Sequence, residues 1–141
     1  MKTGFTLIET LAVLVLLAVA GALALPRLAS RTDRRAVRQS AGEIASFYGR
    51  ARMTAVFSGS HVRIEFDADS LQARRRADDS TLFTLPGPAR YGVSLEASRD
   101  VIDLSPTGLG WGAANTKIVL TRGAAAESLT TSRLGRLKRW Y

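Results

Sequence analysis

The sequence predicts an α+β fold, in which one long N-terminal helix with a membrane half and an amphipathic half packs on antiparallel β-sheets. Two observations predict it. Apolar residues are concentrated from Phe5 to Leu25, where Glu9 is the one charged residue. After Ser60 the hydrophobic period changes from the helical three or four residues to the two residues of a strand. A length of 141 residues allows one domain and one additional segment.

The apolar segment has the length of a membrane-spanning helix. From Phe5 to Leu25 it would extend about 31 Å, close to the thickness of a bilayer's hydrocarbon core. A buried core helix is disfavoured, because the rest of the chain is too small to surround it. A secretory signal peptide is the other alternative, with 22–24 as a small-x-small cleavage site. However, Glu9 costs a few kcal/mol of insertion free energy, which a signal that is removed does not need.

The N-terminal residues carry a specific motif. Lys2-Thr3-Gly4-Phe5-Thr6-Leu7-Ile8-Glu9, followed by the apolar run, resembles a type IV prepilin leader junction. The resemblance implies that residues 1–4 are a leader that a prepilin peptidase removes after Gly4, and that Phe5 is then N-methylated. It also implies that Glu9 promotes filament assembly. A carboxylate in lipid is tolerated when it meets a cation, and the freed amine of a neighbouring subunit's Phe5 would supply one.

The helix is predicted to continue beyond the membrane half, residues 5–29, as an amphipathic second half. Pro26 predicts a kink or local loosening, and Ser58-Gly59-Ser60 predicts the end of the helix. One apolar stripe follows the second half at three- and four-residue spacing. It consists of Val37, Ala41, Ile44, Tyr48, Ala51 and Ala55.

Short strands are predicted after the helix, which gives an antiparallel arrangement packed on the helix's second half. Residues 86–88 and 106–112 are predicted to be mobile loops, and residues 123–126 a hairpin turn. The predicted strands are His61–Phe66, Leu71–Arg76, Thr81–Leu85, Gly92–Leu95, Val101–Leu104, Thr116–Arg122, Glu127–Ser132 and Arg136–Trp140.

The C-terminal part resembles the GspH/FimT minor pseudopilins of the type IV pilin-like superfamily. The resemblance rests on 101–104, Ser105-Pro106-Thr107-Gly108, 118–120 and a closing Gly135-Arg136. It implies a single-pass protein of the bacterial inner membrane whose domain, residues 30–141, lies in the periplasm. It further implies a subunit at or near the tip of a type II secretion pseudopilus or type IV pilus, supporting filament initiation and protein secretion. The implied partners are other pilin or pseudopilin subunits, the prepilin peptidase and inner-membrane lipid.

Catalysis is not expected. The sequence contains no cysteine and one histidine, His61, and no third group is indicated that would orient a Ser-His pair. We therefore expect no enzyme, no cofactor and no metal site. Glu65, Asp67 and Asp69 leave calcium binding open as an alternative, but a solvated turn is favoured because the EF-hand loop pattern is missing. The Gly-rich residues 108–112 are expected to form a flexible loop rather than a phosphate site.

Basic residues are the more informative charges, since residues 30–141 carry a net charge of +7. Arg31, Arg34, Arg35 and Arg38 follow the apolar segment and are expected to contact anionic lipid headgroups or neighbouring helices in a filament. The run of three arginines at 74–76 is expected to pair locally with Asp78 and Asp79.

The C-terminus holds a candidate DNA-binding cluster, Arg133, Arg136, Lys138 and Arg139. Arg136 and Lys138 would share one face of a strand, and the aromatic residues at 140 and 141 could stack on bases. The FimT branch includes DNA-uptake proteins with a C-terminal Gly-Arg-x-Arg motif, which Gly135-Arg136-Leu137-Lys138 resembles. Lysine replaces the second arginine and lacks its two-pronged geometry. DNA uptake is thus the alternative, and a charged closing strand is favoured.

Overall fold

The computed structural model describes residues 6–140, without the side chains of residues 23–29. Its first element is α1, Leu7–Ser58, which is 52 residues long and is assigned as helix through Pro26. The chain divides into two compact units, Met1–Thr32 and Asp33–Tyr141.

The helix ends where the sequence predicts. Gly59 adopts a left-handed conformation with φ of 59°. The Ser60 N–H donates to the Ala55 carbonyl, and the Gly59 N–H donates to the Val56 carbonyl, both at 3.3 Å. These two bonds form a Schellman motif, which satisfies carbonyls that the end of the helix leaves without partners.

Within the described part of the second unit, nine strands form two antiparallel sheets. The first sheet has the order β3-β2-β1-β5-β6, with β1 Val62–Phe66, β2 Ser70–Arg75, β3 Thr81–Pro86, β5 Val101–Leu104 and β6 Gly110–Trp111. The second has the order β4-β7-β8-β9, with β4 Ser94–Ala97, β7 Thr116–Arg122, β8 Ala125–Thr131 and β9 Leu137–Trp140. A long N-terminal helix and two antiparallel sheets confirm the predicted α+β class.

The hydrophobic core joins α1 to both sheets. All six residues of the predicted helical stripe are buried, and Ala41, Ala51 and Ala55 are completely inaccessible to solvent. They belong to the same cluster as inward-facing residues of the strands. These strand residues include Val62, Ile64, Ile102, Leu104, Ile118, Leu120 and Leu129. Period-two burial along β1 and β7 places one face of each sheet on the helix.

Two segments predicted as loops contain or adjoin short regular elements. Residues 88–91 form a 3-10 helix, anchored where the Gly87 N–H donates to the Asp69 carbonyl at 2.7 Å and the Ala89 N–H to the Ala68 carbonyl at 2.9 Å. Residues 110–111 form β6, which pairs with β5. Each element also accepts support from a segment distant in sequence, since the Gly110 N–H at the start of β6 donates to the Arg133 carbonyl at 2.8 Å.

Strand boundaries also differ from the predictions. The strand predicted at Gly92–Leu95 starts two residues later, because Gly92 takes a left-handed conformation that caps the 3-10 helix. The predicted four-residue turn after β7 is shorter, since β8 already begins at Ala125 and pairs with Arg122.

Candidate interaction surfaces

The predicted assembly residues lie at the start of the chain. Gly4 and Phe5 fall outside the described residues, whereas Glu9 lies exposed in the first turn of α1. The Glu9 N–H donates to the Thr6 hydroxyl at 3.3 Å, so Thr6 caps the helix. Large apolar side chains around Glu9 are exposed, among them Leu7 at 81% and Ile8 at 77%. Among the helices of the described residues, none combines the length and the hydropathy that crossing a membrane requires.

Part of the predicted C-terminal basic cluster lies together on the outer face of the second sheet. Arg136, Lys138 and Trp140 are exposed at alternate positions. The Lys138 ammonium lies 3.7 Å from the centroid of the Trp140 ring, in a cation–π contact. The Trp140 indole N–H donates to the Thr130 hydroxyl at 3.1 Å, which fixes the ring against β8. Arg133 is also exposed, in the turn before β9.

Arg139 does not lie with the other candidates, because it is on the opposite face of β9. Its guanidinium nitrogen Nη2 is 2.6 Å from the Glu127 carboxylate, and its Nε donates to the same oxygen at 2.7 Å. The Glu127 side chain is only 3% exposed. Arg139 also donates to the Arg38 carbonyl of α1 at 3.3 Å. Arg139 therefore neutralises a buried carboxylate and links β9 to the helix.

The glycine of the Gly135-Arg136 pair has a packing role. Gly135 has a φ of 70°, and a Cβ atom there would overlap the carbonyl oxygen of Gly108. The same carbonyl accepts a hydrogen bond from Arg52 Nε at 2.9 Å. The turn before β9, the turn after β5 and α1 thus meet at one point. The two short motifs that carry the resemblance to minor pseudopilins are in direct contact.

A polar network on the flank of α1 was not predicted from the sequence. Glu43 accepts hydrogen bonds from the Tyr91 hydroxyl at 2.7 Å and from Arg90 Nη2 at 2.5 Å. Burial alone would raise the pKa of the Glu43 carboxyl, but the hydrogen bonds from Tyr91, Arg90 and Gln39 together outweigh burial and lower it. The sequence does place Gln39 and Glu43 four residues apart on one helix face. Their spacing does not identify Tyr91 and Arg90 as hydrogen-bonding partners.

A second set of contacts, made by Arg122, holds the 3-10 helix of residues 88–91. Arg122, at the end of β7, forms an ion pair with Asp33 of α1 at 3.0 Å and donates to the Tyr91 carbonyl. The 3-10 helix is therefore tied both to α1 and to the β7–β8 hairpin, which explains why this segment is ordered.

The first two residues of the arginine run at 74–76 form the predicted local ion pairs. Arg74 contacts Asp79, and Arg75 contacts Asp78, each at 3.1 Å. Arg76 instead reaches Asp103, at 3.4 Å. Hydrogen bonds from Ser80, assisted by Arg75, lower the pKa of the Asp78 carboxyl. Over the described residues, no group of three or more His, Asp or Glu side chains is arranged to hold a metal ion.

Comparison with solved structures agrees with this architecture. The chain is similar to the type IV minor pilin FimU of Pseudomonas aeruginosa in one crystal form, with a TM-score of 0.65 and 15% identity over 74% of this chain and 88% of FimU. A second FimU crystal form gives a TM-score of 0.62 and 14% identity over 74% and 92% of the two chains. No protein-family model matches the chain, and no curated protein matches it significantly. The fold is pilin-like.

Proposed function

We propose that this chain is a minor pilin or pseudopilin of the GspH/FimT type, a structural subunit of a bacterial filament that performs no chemistry itself. The observation that carries the proposal is the combination of a pilin-like fold with an N-terminal helix whose apolar side chains are exposed around one carboxylate, Glu9. Exposed apolar area of this extent requires lipid or other helices to cover it.

Membrane insertion before assembly is the second part of the proposal. Residues 5–29 anchor the chain in the inner membrane, and residues 30–141 lie in the periplasm. Arg31, Arg34 and Arg35 are exposed on the turns that follow, where cationic side chains attract anionic headgroups. In the filament, the apolar segment packs against the helices of other subunits.

Processing and assembly follow from the N-terminal motif. A prepilin peptidase removes residues 1–4, and the new amine of Phe5 is methylated. Glu9 then pairs with a neighbouring subunit's N-terminus. At or near the tip of a type II secretion pseudopilus or a type IV pilus, the subunit helps to initiate the filament and supports protein secretion.

Mass spectrometry of the mature chain tests processing. The expected N-terminus is methylated Phe5, and Gly4→Ala should block or sharply slow cleavage because the peptidase reads the glycine. A mature protein that starts at Leu25 would instead identify a secretory signal peptide and overturn the proposal.

Filament incorporation tests Glu9 separately. Glu9→Gln should leave cleavage intact but reduce the amount of this subunit in sheared filaments at least tenfold, because the neutral amide no longer pairs with an amine. Thr10→Ala is the matched control, since it alters the next exposed position and keeps the charge. Equal incorporation of all three proteins contradicts the assignment of Glu9.

DNA binding for uptake is the second candidate function, and one observation favours it. Arg136 and Lys138 are exposed beside the Trp140 ring, and basic side chains beside an aromatic ring suit single-stranded nucleic acid.

A gel-shift experiment tests this candidate. The full chain in detergent should retard a single-stranded oligonucleotide in a gel at low salt. The double variant Arg136→Ala, Lys138→Ala should lose the shift, and affinity should fall steeply with salt. Lys117→Ala, which removes an exposed charge from β7, is the control. No shift at low salt excludes this candidate.

A further inference from the structure

The outer edge of β3 has unpaired backbone groups. β3 is the last strand of the first sheet and pairs with β2 alone among the described strands. The Gly87 N–H donates to the Asp69 carbonyl, so these two residues form a hydrogen-bonded pair. In the same register Leu85 lies opposite Leu71, two positions along each strand, and Thr84 lies opposite Gln72, one position further. Because bonded and non-bonded pairs alternate in an antiparallel ladder, the N–H and carbonyl of Thr84 point away from β2. Within residues 6–140, no loop or strand hydrogen-bonds to these two groups.

The middle of β3 carries none of the features that usually protect a sheet edge. Edge strands usually avoid pairing with other chains by carrying charges, prolines or bulges. β3 has the sequence Thr-Leu-Phe-Thr-Leu-Pro and no charged residue. Its register shift lies opposite Ala73 and Arg74, and its proline is the last residue. Residues 83–85 between them remain regular and uncharged.

An apolar groove runs along the same edge. It has a volume of about 410 Å³ and lies between α1 and β3. Phe83 and Leu85 line it from the face that packs toward α1, where the Phe83 ring meets the Phe47 ring edge-on at 5.1 Å. Thr84, on the alternate face, lines it as well. The groove is thus open to the edge itself, so an added strand could place side chains in it.

Charge distinguishes the two ends of the groove. Glu43, at one end, is neutralised by Arg90. Arg50, at the other end, lies 4.2 Å from the centroid of the Phe83 ring. No carboxylate of the described residues lies within ion-pairing distance of Arg50. The groove therefore offers one cation, Arg50, whose charge no carboxylate of the described residues balances.

We propose that the edge of β3 and this groove bind an extended segment of a partner protein by strand addition. The backbone of the segment pairs with Thr84, apolar side chains enter the groove beside Phe47 and Phe83, and an acidic side chain meets Arg50. The proposal depends on the second unit alone and goes beyond the filament function, so it can hold even if that function is wrong.

A synthetic peptide tests the proposal on the full chain in detergent micelles. The probe is a fluorescein-labelled eight-residue peptide of alternating Val and Thr with one Glu. A control peptide carries Lys in place of the Glu. Anisotropy should show at least tenfold tighter binding of the Glu peptide. Hydrogen exchange should show at least tenfold slower exchange of the Thr84 amide when that peptide is bound.

Variants at two positions, Thr84 and Arg50, locate the binding. Thr84→Pro removes the outward N–H, which an edge strand tolerates, and should abolish binding with an unchanged melting temperature. Thr84→Val keeps the N–H and the side-chain shape and should bind normally. Arg50→Glu, at an exposed position, should reverse the preference in favour of the Lys peptide, so the test holds even if the proline variant unfolds.

Three results would overturn the proposal. The first is equal affinity for the Glu and Lys peptides, and the second is unchanged binding by a folded Thr84→Pro variant. The third is protection of the Thr84 amide that rises with protein concentration in the absence of peptide, since it would assign this edge to pairing between two copies of the chain.

Discussion

The guanidinium of Arg139 lies 2.6 Å from the carboxylate of Glu127, whose side chain is only 3% exposed. A residue that the sequence marks as one of four candidate DNA-binding cations is thus the counter-ion of a buried acid. The pair connects the closing strand β9 to β8, and the further bond from Arg139 to the Arg38 carbonyl connects it to α1.

Removing this counter-ion should destabilise the fold. Arg139→Ala leaves the Glu127 carboxylate buried without a partner, so we expect a loss of about 3 kcal/mol in the free energy of unfolding. Urea denaturation followed by circular dichroism measures it. The double variant Arg139→Leu, Glu127→Leu should be more stable than Arg139→Ala, and Lys138→Ala, at the exposed neighbouring position, should change stability by less than about 0.5 kcal/mol. Equal stability of Arg139→Ala and Lys138→Ala would show that the ion pair is not structural.

Gly135 and Gly112 provide a matched test of the contact between the two motif turns. Both have positive φ angles, of 70° and 64°, but only Gly135 faces another backbone, at Gly108. Gly112→Ala should lower the free energy of unfolding by about 1 kcal/mol, because of the left-handed conformation alone. Gly135→Ala should lower it by about 2–3 kcal/mol more than Gly112→Ala does, because the new methyl group overlaps the Gly108 carbonyl. Thermal unfolding of the two variants side by side measures the difference, and similar melting temperatures would refute the close approach.

The stability of the Glu43 network should depend on pH. Burial opposes ionisation of Glu43, but hydrogen bonds from Tyr91, Arg90 and Gln39 prevail and hold its pKa below the ordinary value of 4.5. A lowered pKa in the folded state contributes stability that is present above the unfolded pKa and is lost as pH falls through the folded pKa. The difference in melting temperature between the natural chain and Glu43→Gln should therefore be largest above pH 5 and should shrink below about pH 4. A difference that stays constant from pH 7 to pH 3 would mean that Glu43 does not titrate in this way.

The small residues of the helical stripe should not tolerate enlargement. Ala51 is completely inaccessible to solvent in the core that α1 shares with the sheets. Ala51→Leu should cost about 1–3 kcal/mol through overpacking. Met53→Leu, at an exposed position two residues later, should be nearly neutral. Denaturant titration distinguishes the two, and an unaffected Ala51→Leu variant would argue against close packing at this point.

Local patterns predicted most of the fold. The spacing of Val37, Ala41 and Ile44 identified the buried face of α1, and alternation at Val62, Ile64 and Phe66 identified β1. Ser58-Gly59-Ser60 marked the end of the helix correctly. In contrast, the Pro- and Gly-rich segments at 86–88 and 106–112 were predicted as mobile loops, because composition alone carries no information about a distant hydrogen-bonding partner.

For the candidate functional residues as well, the sequence predicts which side chains are exposed but does not identify their partners. Arg136 and Lys138 are exposed as alternation predicts, whereas Arg139 follows the same alternation to the opposite face, where Glu127 lies twelve positions earlier in the chain. Glu43 and Tyr91 are 48 positions apart, and no spacing rule connects them. The roles of Gly4, Phe5 and Glu9 remain predictions from the N-terminal motif.

The sequence by itself determined the fold class, the buried face of the helix and most strand positions, because hydrophobic periodicity reflects backbone geometry within a few residues. Only the tertiary structure decided which charged groups are paired, which glycines contact another backbone, and that the β3 edge and the apolar groove lie side by side. Those properties arise from segments that meet through the long-range pairing of two sheets around one helix, and their free energies depend on burial that no local pattern contains.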